Sequence, residues 1–287
     1  MVVFDERSSF NGRVSVTQHR AGDGRGSLVW RVLRFGAETR QNVTLCAPAG
    51  DDALVARPDV LAQEYCKAVA AQVLGLTRTL AADVLNPRIS CLGGGAGSLP
   101  LFLATCLPQA HVDVVEIDPV VVAAARHCGF DAGATALGNV QVHVASAQAF
   151  LAADKRQAYD VIVIDCFTGD DGVPPALLEQ PFLARMRAHL RAPGGAVLMN
   201  THGGQLAPLR VDEALAGACR RLRGLAEDTG TRQYRGYEDA SAAGSRVVAC
   251  AAALAAALQA PCWATRVDGQ GNVILSVVVG AVGRFRV

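Results

Sequence analysis

Between residues 88 and 201, short and largely apolar runs take turns with longer stretches whose apolar positions recur every three to four residues. The runs at 88–92, 111–117, 140–145, 159–165 and 196–201 predict strands, and the stretches near 97–106, 119–127, 146–154, 175–190 and 207–222 predict helices. A run such as 159–165, apolar nearly throughout, suits a strand covered on both faces, and short connections between alternating strands and helices make the sheet parallel. The expected fold class is therefore α/β, doubly wound. Before this core, residues 13–17 and 27–35 read as two strands joined by the turn Gly22 to Gly26, a small β-hairpin unit. Pro48, Gly50, Asp51, Asp52 and Pro58 give 47–59 the composition of a linker. Leu61, Tyr65, Ala68, Val69, Val73 and Leu76 then follow at helical spacing, with Asp59 placed as N-cap. Near the end, 232–237 and 272–279 read as a closing strand pair around an alanine-rich helix at 249–260. The expected division is a hairpin unit with linker at 1–58 and a core at 59–287.

Composition narrows the class. Of 287 residues 51% are hydrophobic and 18% charged, ample for a buried core, and the formal net charge is only +1. Lys67 and Lys155 are the only lysines, and the arginine groups 185/187/191 and 220/221/223 fall on predicted helices as solvated faces, so no nucleic-acid surface is expected. Nine cysteines without a C-x-x-C pair predict reduced thiols rather than a disulfide frame or a zinc site, and no metal is expected. His111 and His143 fall in or beside strands and read as structural hydrogen-bonding residues. The first residues lack a signal pattern and no run reaches the ~18 apolar residues of a membrane span, so the expectation is cytoplasmic, without a membrane partner.

The chemistry concentrates at strand exits. Gly93, Gly94, Gly95 and Gly97 follow an apolar strand and open a helix, and the next strand ends on Glu116 some twenty residues later. This is a nucleoside-cofactor arrangement, with the acid taking the ribose hydroxyls. The spacing is G-x-G-x-G, not the G-x-G-x-x-G that cradles a pyrophosphate. It points to S-adenosylmethionine, whose methionine end needs close backbone approach and peptide N–H groups. Asp118 precedes Pro119 and reads as the cap of the following helix. Asp165 ends the fourth strand and opens into a polar loop containing Asp170 and Asp171. It is a candidate for holding an amine, or a cap for the following turn.

Taken together, Leu92 to Phe102, Val112 to Pro119, Gly129-Phe130, Tyr159 to Ile162, Pro181 to Leu183 and the Pro193-Gly-Gly turn resemble the spermidine synthase-like branch of class I methyltransferases. Within it, the likeness runs to the C-terminal domain of the elongation factor 1-alpha lysine and N-terminal methyltransferases. The resemblance covers about 60 to 200 well, and the hairpin unit looks like the small β-domain that precedes the core in spermidine synthases. It implies a Rossmann-like, seven-stranded fold. It also implies Gly93, Gly95 and Gly97 at the methionine end, Glu116 on the ribose with Ile117 beside it, Ser146 and Ala147 flanking the adenine, and Asp165 by the reacting amine. Two departures stand out: Ser146 replaces a frequent acid, and Thr168 sits where aminopropyltransferases carry a further acid. An amine like that of lysine, with a pKa near ~10.4, needs a base more than a protein α-amine near ~7.7–8.0 does. The expected activity is thus S-adenosylmethionine-dependent N-methylation of a protein, with the N-terminal amine of elongation factor 1-alpha as acceptor. A lysine acceptor stays open if Asp165, or Asp170 folding back, lowers the demand for a base. Aminopropyl transfer to a polyamine, or a non-catalytic interaction module, is the alternative. A homodimer is a possible assembly.

Overall fold

The computed structural model describes residues 1–20, 28–36, 39–48, 54–79, 85–130, 138–153, 158–167, 172–202, 242–267 and 271–279. Two sheets organise them. The N-terminal sheet is a five-stranded antiparallel meander of β1 (Val2–Ser8), β2 (Gly12–Arg20), β3 (Val29–Phe35), β4 (Thr39–Pro48) and β5 (Leu54–Ala56). It is larger than the expected hairpin. The outer strand β1 spends its second half on Asp5, Glu6, Arg7 and Ser8, so alternation does not announce it, and β5 is only three residues long. Val14 and Val16, two apart on β2, turn inward with Leu33.

After α1 (Glu64–Thr79), the second sheet collects β6 (Arg88–Leu92), β7 (His111–Glu116), β8 (Val140–Val144), β9 (Val161–Ile164), β10 (Ala196–His202), β11 (Cys262–Arg266) and β12 (Asn272–Val278). Their spatial order is β11-β12-β10-β9-β6-β7-β8. The five strands β6 to β10 are parallel, and β12 inserts antiparallel between β10 and β11. Strand β9 shows why the run was so apolar: Val161 and Val163 join the cluster under α1 and α2 (Ser98–Cys106), while Ile162 and Ile164 join the opposite one. That second layer holds α4 (Ala147–Ala153), α5 (Gln180–Ala188) and α6 (Ala242–Leu258). The helix α3 (Pro119–His127) packs Val121 and Ala124 against Val14, Val16 and Leu33 of the N-terminal sheet.

Three local expectations change. Asp59 does not cap α1; it pairs with Arg57 at 2.6 Å, and the helix begins only at Glu64. The delay has a cause in Gln63, whose amide accepts from Val43 N at 3.3 Å and donates to Gln41 O at 3.2 Å, tying the chain to β4 before it can coil. The expected helix at 175–190 is a single 3-10 turn, Pro175–Leu177, followed by α5, because Glu179 is extended and Pro181 starts a new first turn. The closing strand 272–279 finds its partner at Cys262–Arg266; the expected strand at 232–237, the helix at 207–222 and the turn at Gly22 to Gly26 lie outside the described residues.

Away from the strand exits, Asp113 gathers four neighbours. Its carboxylate is nearly fully buried and meets Arg88 Nη2 at 3.1 Å, Tyr159 Oη at 3.0 Å, His143 Nε2 at 2.8 Å and His111 Nε2 at 3.3 Å. A carboxylate only accepts, so both imidazoles present an Nε2–H. The group links β6, β7, β8 and the chain entering β9. Asp113→Ala leaves the tyrosine hydroxyl and guanidinium without that partner and is expected to cost about 3–5 kcal/mol, read as a lower urea midpoint at unchanged slope. A midpoint within error of the parent's contradicts that role.

Candidate functional site

The chain leaves β6 at Leu92 and turns through glycine. Gly93, Gly95 and Gly97 have φ of +98°, +51° and +80°, conformations in which a side chain is strained. Their surroundings differ. A Cβ on Gly93 would lie 2.3 Å from the Asp165 carbonyl oxygen, and one on Gly97 would lie 2.2 Å from the Phe130 ring, whereas one on Gly95 would meet nothing within 4 Å. Gly93 thus lets the exits of β6 and β9 touch, and Gly95 leaves bare backbone open to the cleft. Gly97, expected at the ligand, packs instead on Phe130 as it starts α2.

Glu116 holds this loop from the side. One of its carboxylate oxygens accepts from Gly94 N at 3.0 Å and Gly95 N at 3.2 Å, and the other accepts from Asp118 N at 3.0 Å. Burial pushes its pKa up, and the three backbone N–H groups pull the other way. Asp118, fully buried, caps α3 through Val120 N at 2.9 Å. It also accepts from Ser8 Oγ and from Asn11 Nδ2 at 2.7 Å, which fastens the N-terminal sheet beside the glycine loop.

Above the loop opens a cleft of about 810 Å³ walled by strand exits on one side and by the N-terminal sheet, including Phe10, Phe35 and Asn42, on the other. Gly93, Gly94, Gly95, Glu116, Ile117, Ser146, Ala147 and Asp165 all line it. Ile117 is 43% exposed, an apolar surface suited to the face of a base. Ser146 accepts from Ala149 N at 3.1 Å as it opens α4, which leaves its hydroxyl proton for another partner.

Asp165 follows β9 and lies half-buried in the cleft. Its backbone N–H donates to Leu92 O at 2.8 Å, and its carboxylate accepts from Asn200 Nδ2 at 2.8 Å and from Tyr65. Burial pushes its pKa up; Asn200 and Tyr65 oppose that shift. Cys91, pushed to about 12 by burial, and Cys66 and Cys166, raised further, stay neutral thiols around it. Thr168, Asp170 and Asp171 lie outside the described residues. Tyr65, Asn200, His202 and Asn272, which also line the cleft, escaped the sequence reading. Asn200 and His202 end a recognised strand and were within reach of the strand-exit rule; Tyr65 was hidden as one more apolar helix position. Among the described residues no cluster of histidine, cysteine and carboxylate suits a metal ion.

A carboxylate whose folded pKa exceeds its unfolded value costs stability as pH rises. The folded chain keeps a proton that the unfolded chain, near ~3.9, has released, so stability falls from about pH 4 until the folded value is passed. Asp165→Asn removes that contribution. The melting temperature of the variant relative to the parent is expected to climb over this window; a gap that does not vary with pH contradicts the buried, charge-strained Asp165.

No protein-family model matches the chain. Over 129 residues it is 37% identical to a polyamine aminopropyltransferase of Vibrio vulnificus, covering 43% of this chain and 41% of that protein. Over 120 residues it is 33% identical to the human eEF1A lysine and N-terminal methyltransferase, covering 38% of this chain and 16% of that one. The matches thus span less than half the length of these curated relatives. Among solved structures, a probable spermidine synthase from Corynebacterium glutamicum superposes with a TM-score of 0.57 at 20% identity, over 97% of this chain and 79% of that one. Human methyltransferase-like protein 13, solved in complex with SAH, superposes at 0.50 and 24% identity, over 76% of this chain and 83% of that one. The strand order with its inserted antiparallel β12 is accordingly the class I methyltransferase and spermidine synthase fold, and the curated proteins the chain is similar to include spermidine synthases and eEF1A lysine and N-terminal methyltransferases.

Proposed function

We propose that the chain is an S-adenosylmethionine-dependent N-methyltransferase acting on a protein amine, with the N-terminal α-amine of elongation factor 1-alpha as acceptor. One observation carries the choice: among the described residues lining the cleft the carboxylates are Glu116 and Asp165, and Glu116 is engaged by the glycine loop. That leaves one carboxylate, Asp165, for one amine. The polar side chains on the N-terminal side of the cleft, Asn11, Gln41, Asn42 and Gln63, are neutral amides, which suit a peptide better than the second ammonium of a diamine.

The residues present fit the cofactor. The open face of Gly95 accommodates a carboxylate and ammonium group at close range, Glu116 keeps one lone pair, on Oε1, for a ribose hydroxyl, and Ile117 offers an apolar face to adenine. When bound, S-adenosylmethionine supplies a methyl group on sulfonium that transfers by direct in-line displacement. Asp165 accepts an N–H of the incoming amine and so aims the nitrogen lone pair. Its raised pKa makes it a stronger proton acceptor than an exposed carboxylate, and an α-amine near ~7.7–8.0 asks little of it. Positioning then supplies most of the advantage.

A second reading, aminopropyl transfer to a polyamine, draws support from the Vibrio vulnificus relative and from the likeness to the spermidine synthase structure over 97% of the chain. Thr168, where aminopropyltransferases carry an acid, weighs against it.

Calorimetry tests the cofactor site. S-adenosylmethionine and S-adenosylhomocysteine are expected to bind, and Glu116→Ala to weaken both roughly tenfold to a hundredfold, the worth of hydrogen bonds to a charged group. Unchanged affinity removes Glu116 from the site. The acceptor is tested with tritiated S-adenosylmethionine and elongation factor 1-alpha: label is expected on the N-terminal peptide and not on its acetylated form, which has lost the nucleophilic lone pair. Label confined to internal lysines overturns the α-amine, and spermidine formed from putrescine and decarboxylated S-adenosylmethionine overturns the methyltransferase.

A further inference from the structure

Strand β12 runs against its neighbours, so its first residue, not its last, arrives at the carboxyl edge where the cleft lies. That residue is Asn272. In the β10–β12 ladder Asn272 pairs with His202 and Ile274 pairs with Asn200, which places Asn200 and Asn272 on one face as diagonal neighbours. Asn272 Nδ2 donates to Asn200 Oδ1 at 3.1 Å, and Asn200 Nδ2 donates to Asp165 Oδ1 at 2.8 Å. Gly271, at φ +68°, makes the approach possible: a Cβ there would lie 3.0 Å from His202 Nε2.

We infer that Asn272 and Asn200 form a two-amide relay in which Asn272 fixes which end of the Asn200 amide faces Asp165, and that both are positioning residues for the amine-binding carboxylate. The inference rests on the proposed role of Asp165. An asparagine amide is nearly symmetric in shape and opposite in polarity at its two ends. With its oxygen taken by Asn272, Asn200 must offer N–H to Asp165. Without Asn272, nothing in the pair prevents the amide from turning its oxygen toward the carboxylate, which repels the charge that binds the amine. The relay leaves the other lone pairs of Asp165 to Tyr65 and to the substrate. The titratable groups around Asp165 among the described residues are Tyr65 and Cys66 of α1, Cys91 of β6 and the adjoining Cys166, with Glu116 and His202 also lining the cleft; burial keeps the phenol and the thiols neutral. The charge of the phenol and the thiols therefore does not alter when the relay is cut.

The test reads Asp165 directly. In the full chain carrying ¹³C-carboxyl aspartate, with the resonance assigned by its loss in Asp165→Asn, the titration midpoint is followed by NMR without any acceptor. Asn200→Ala and Asn272→Ala are each expected to raise the midpoint on the order of one pH unit, and the double variant to match Asn200→Ala alone, because the two amides act in series. Asn272→Asp, which draws the Asn200 N–H groups toward itself, is expected to raise it at least as far. Affinity for S-adenosylhomocysteine measured on each variant reports an intact fold and is expected to stay within about threefold of the parent. In turnover the relay variants lower kcat roughly tenfold with the KM for S-adenosylmethionine unchanged. A midpoint in Asn272→Ala equal to the parent's, with cofactor affinity retained, overturns the relay. An additive double variant overturns the series arrangement. Absence of methylation by the parent overturns the proposed function and leaves the titration result standing.

Discussion

A loop of glycines has backbone N–H groups and no side chains to satisfy them, and in this protein the carboxylate of Glu116 does that work. It accepts from Gly94 and Gly95 with one oxygen and from Asp118 with the other, so the exits of two parallel strands and the entry of α3 are held by a single acid. Much follows from that position. The loop is held open over the cleft, the exit of β6 can press against that of β9 at Gly93, and Asp118 is set to cap α3 and receive Ser8 and Asn11. The N-terminal sheet is thereby docked on the same few residues that shape the cofactor end of the cleft. Burying Glu116 raises its pKa, and the three N–H groups offset part of that cost.

The carboxylates Asp113, Glu116 and Asp165 play different parts in the central sheet. Asp113 lies away from the cleft among arginine, tyrosine and two histidines, and it serves cohesion. Glu116 shapes the loop. Asp165 has two donors, no cation among its described partners, and neutral thiols around it, so its charge is poorly compensated. An acid in that condition gains most from an arriving ammonium or amine, which is the physical support for the role proposed for Asp165.

Methyltransferases and an aminopropyltransferase both stand among the proteins this chain is similar to, so the likeness by itself does not choose the chemistry. In this chain the cleft beyond the glycine loop holds the Asp165 carboxylate, the Asn200 and Asn272 amides hydrogen-bonded in line behind it, and a wall contributed by the N-terminal sheet.

The parallel strands β6 to β10, the glycine loop and the acid at Glu116 were legible in the sequence because their causes are local. A strand covered on both faces must be apolar at nearly every position, a tight turn with positive φ must be glycine, and a strand of period two places its last carboxylate at a countable distance. The position of Asp165 at an apolar strand's end was legible for the same reason. The five-stranded extent of the N-terminal sheet was not, since β1 buries little and its alternation is diluted by charge, and β5 is only three residues long. Nor was the late start of α1, which depends on Gln63 reaching back to β4. Asn200 and His202 end a strand the pattern showed, but Tyr65 and Asn272 entered the cleft only with the tertiary structure. A residue at the beginning of a strand reaches the active edge only if that strand runs antiparallel to its neighbours, and direction within a sheet is settled by which strands pair, an interaction between segments far apart in the chain.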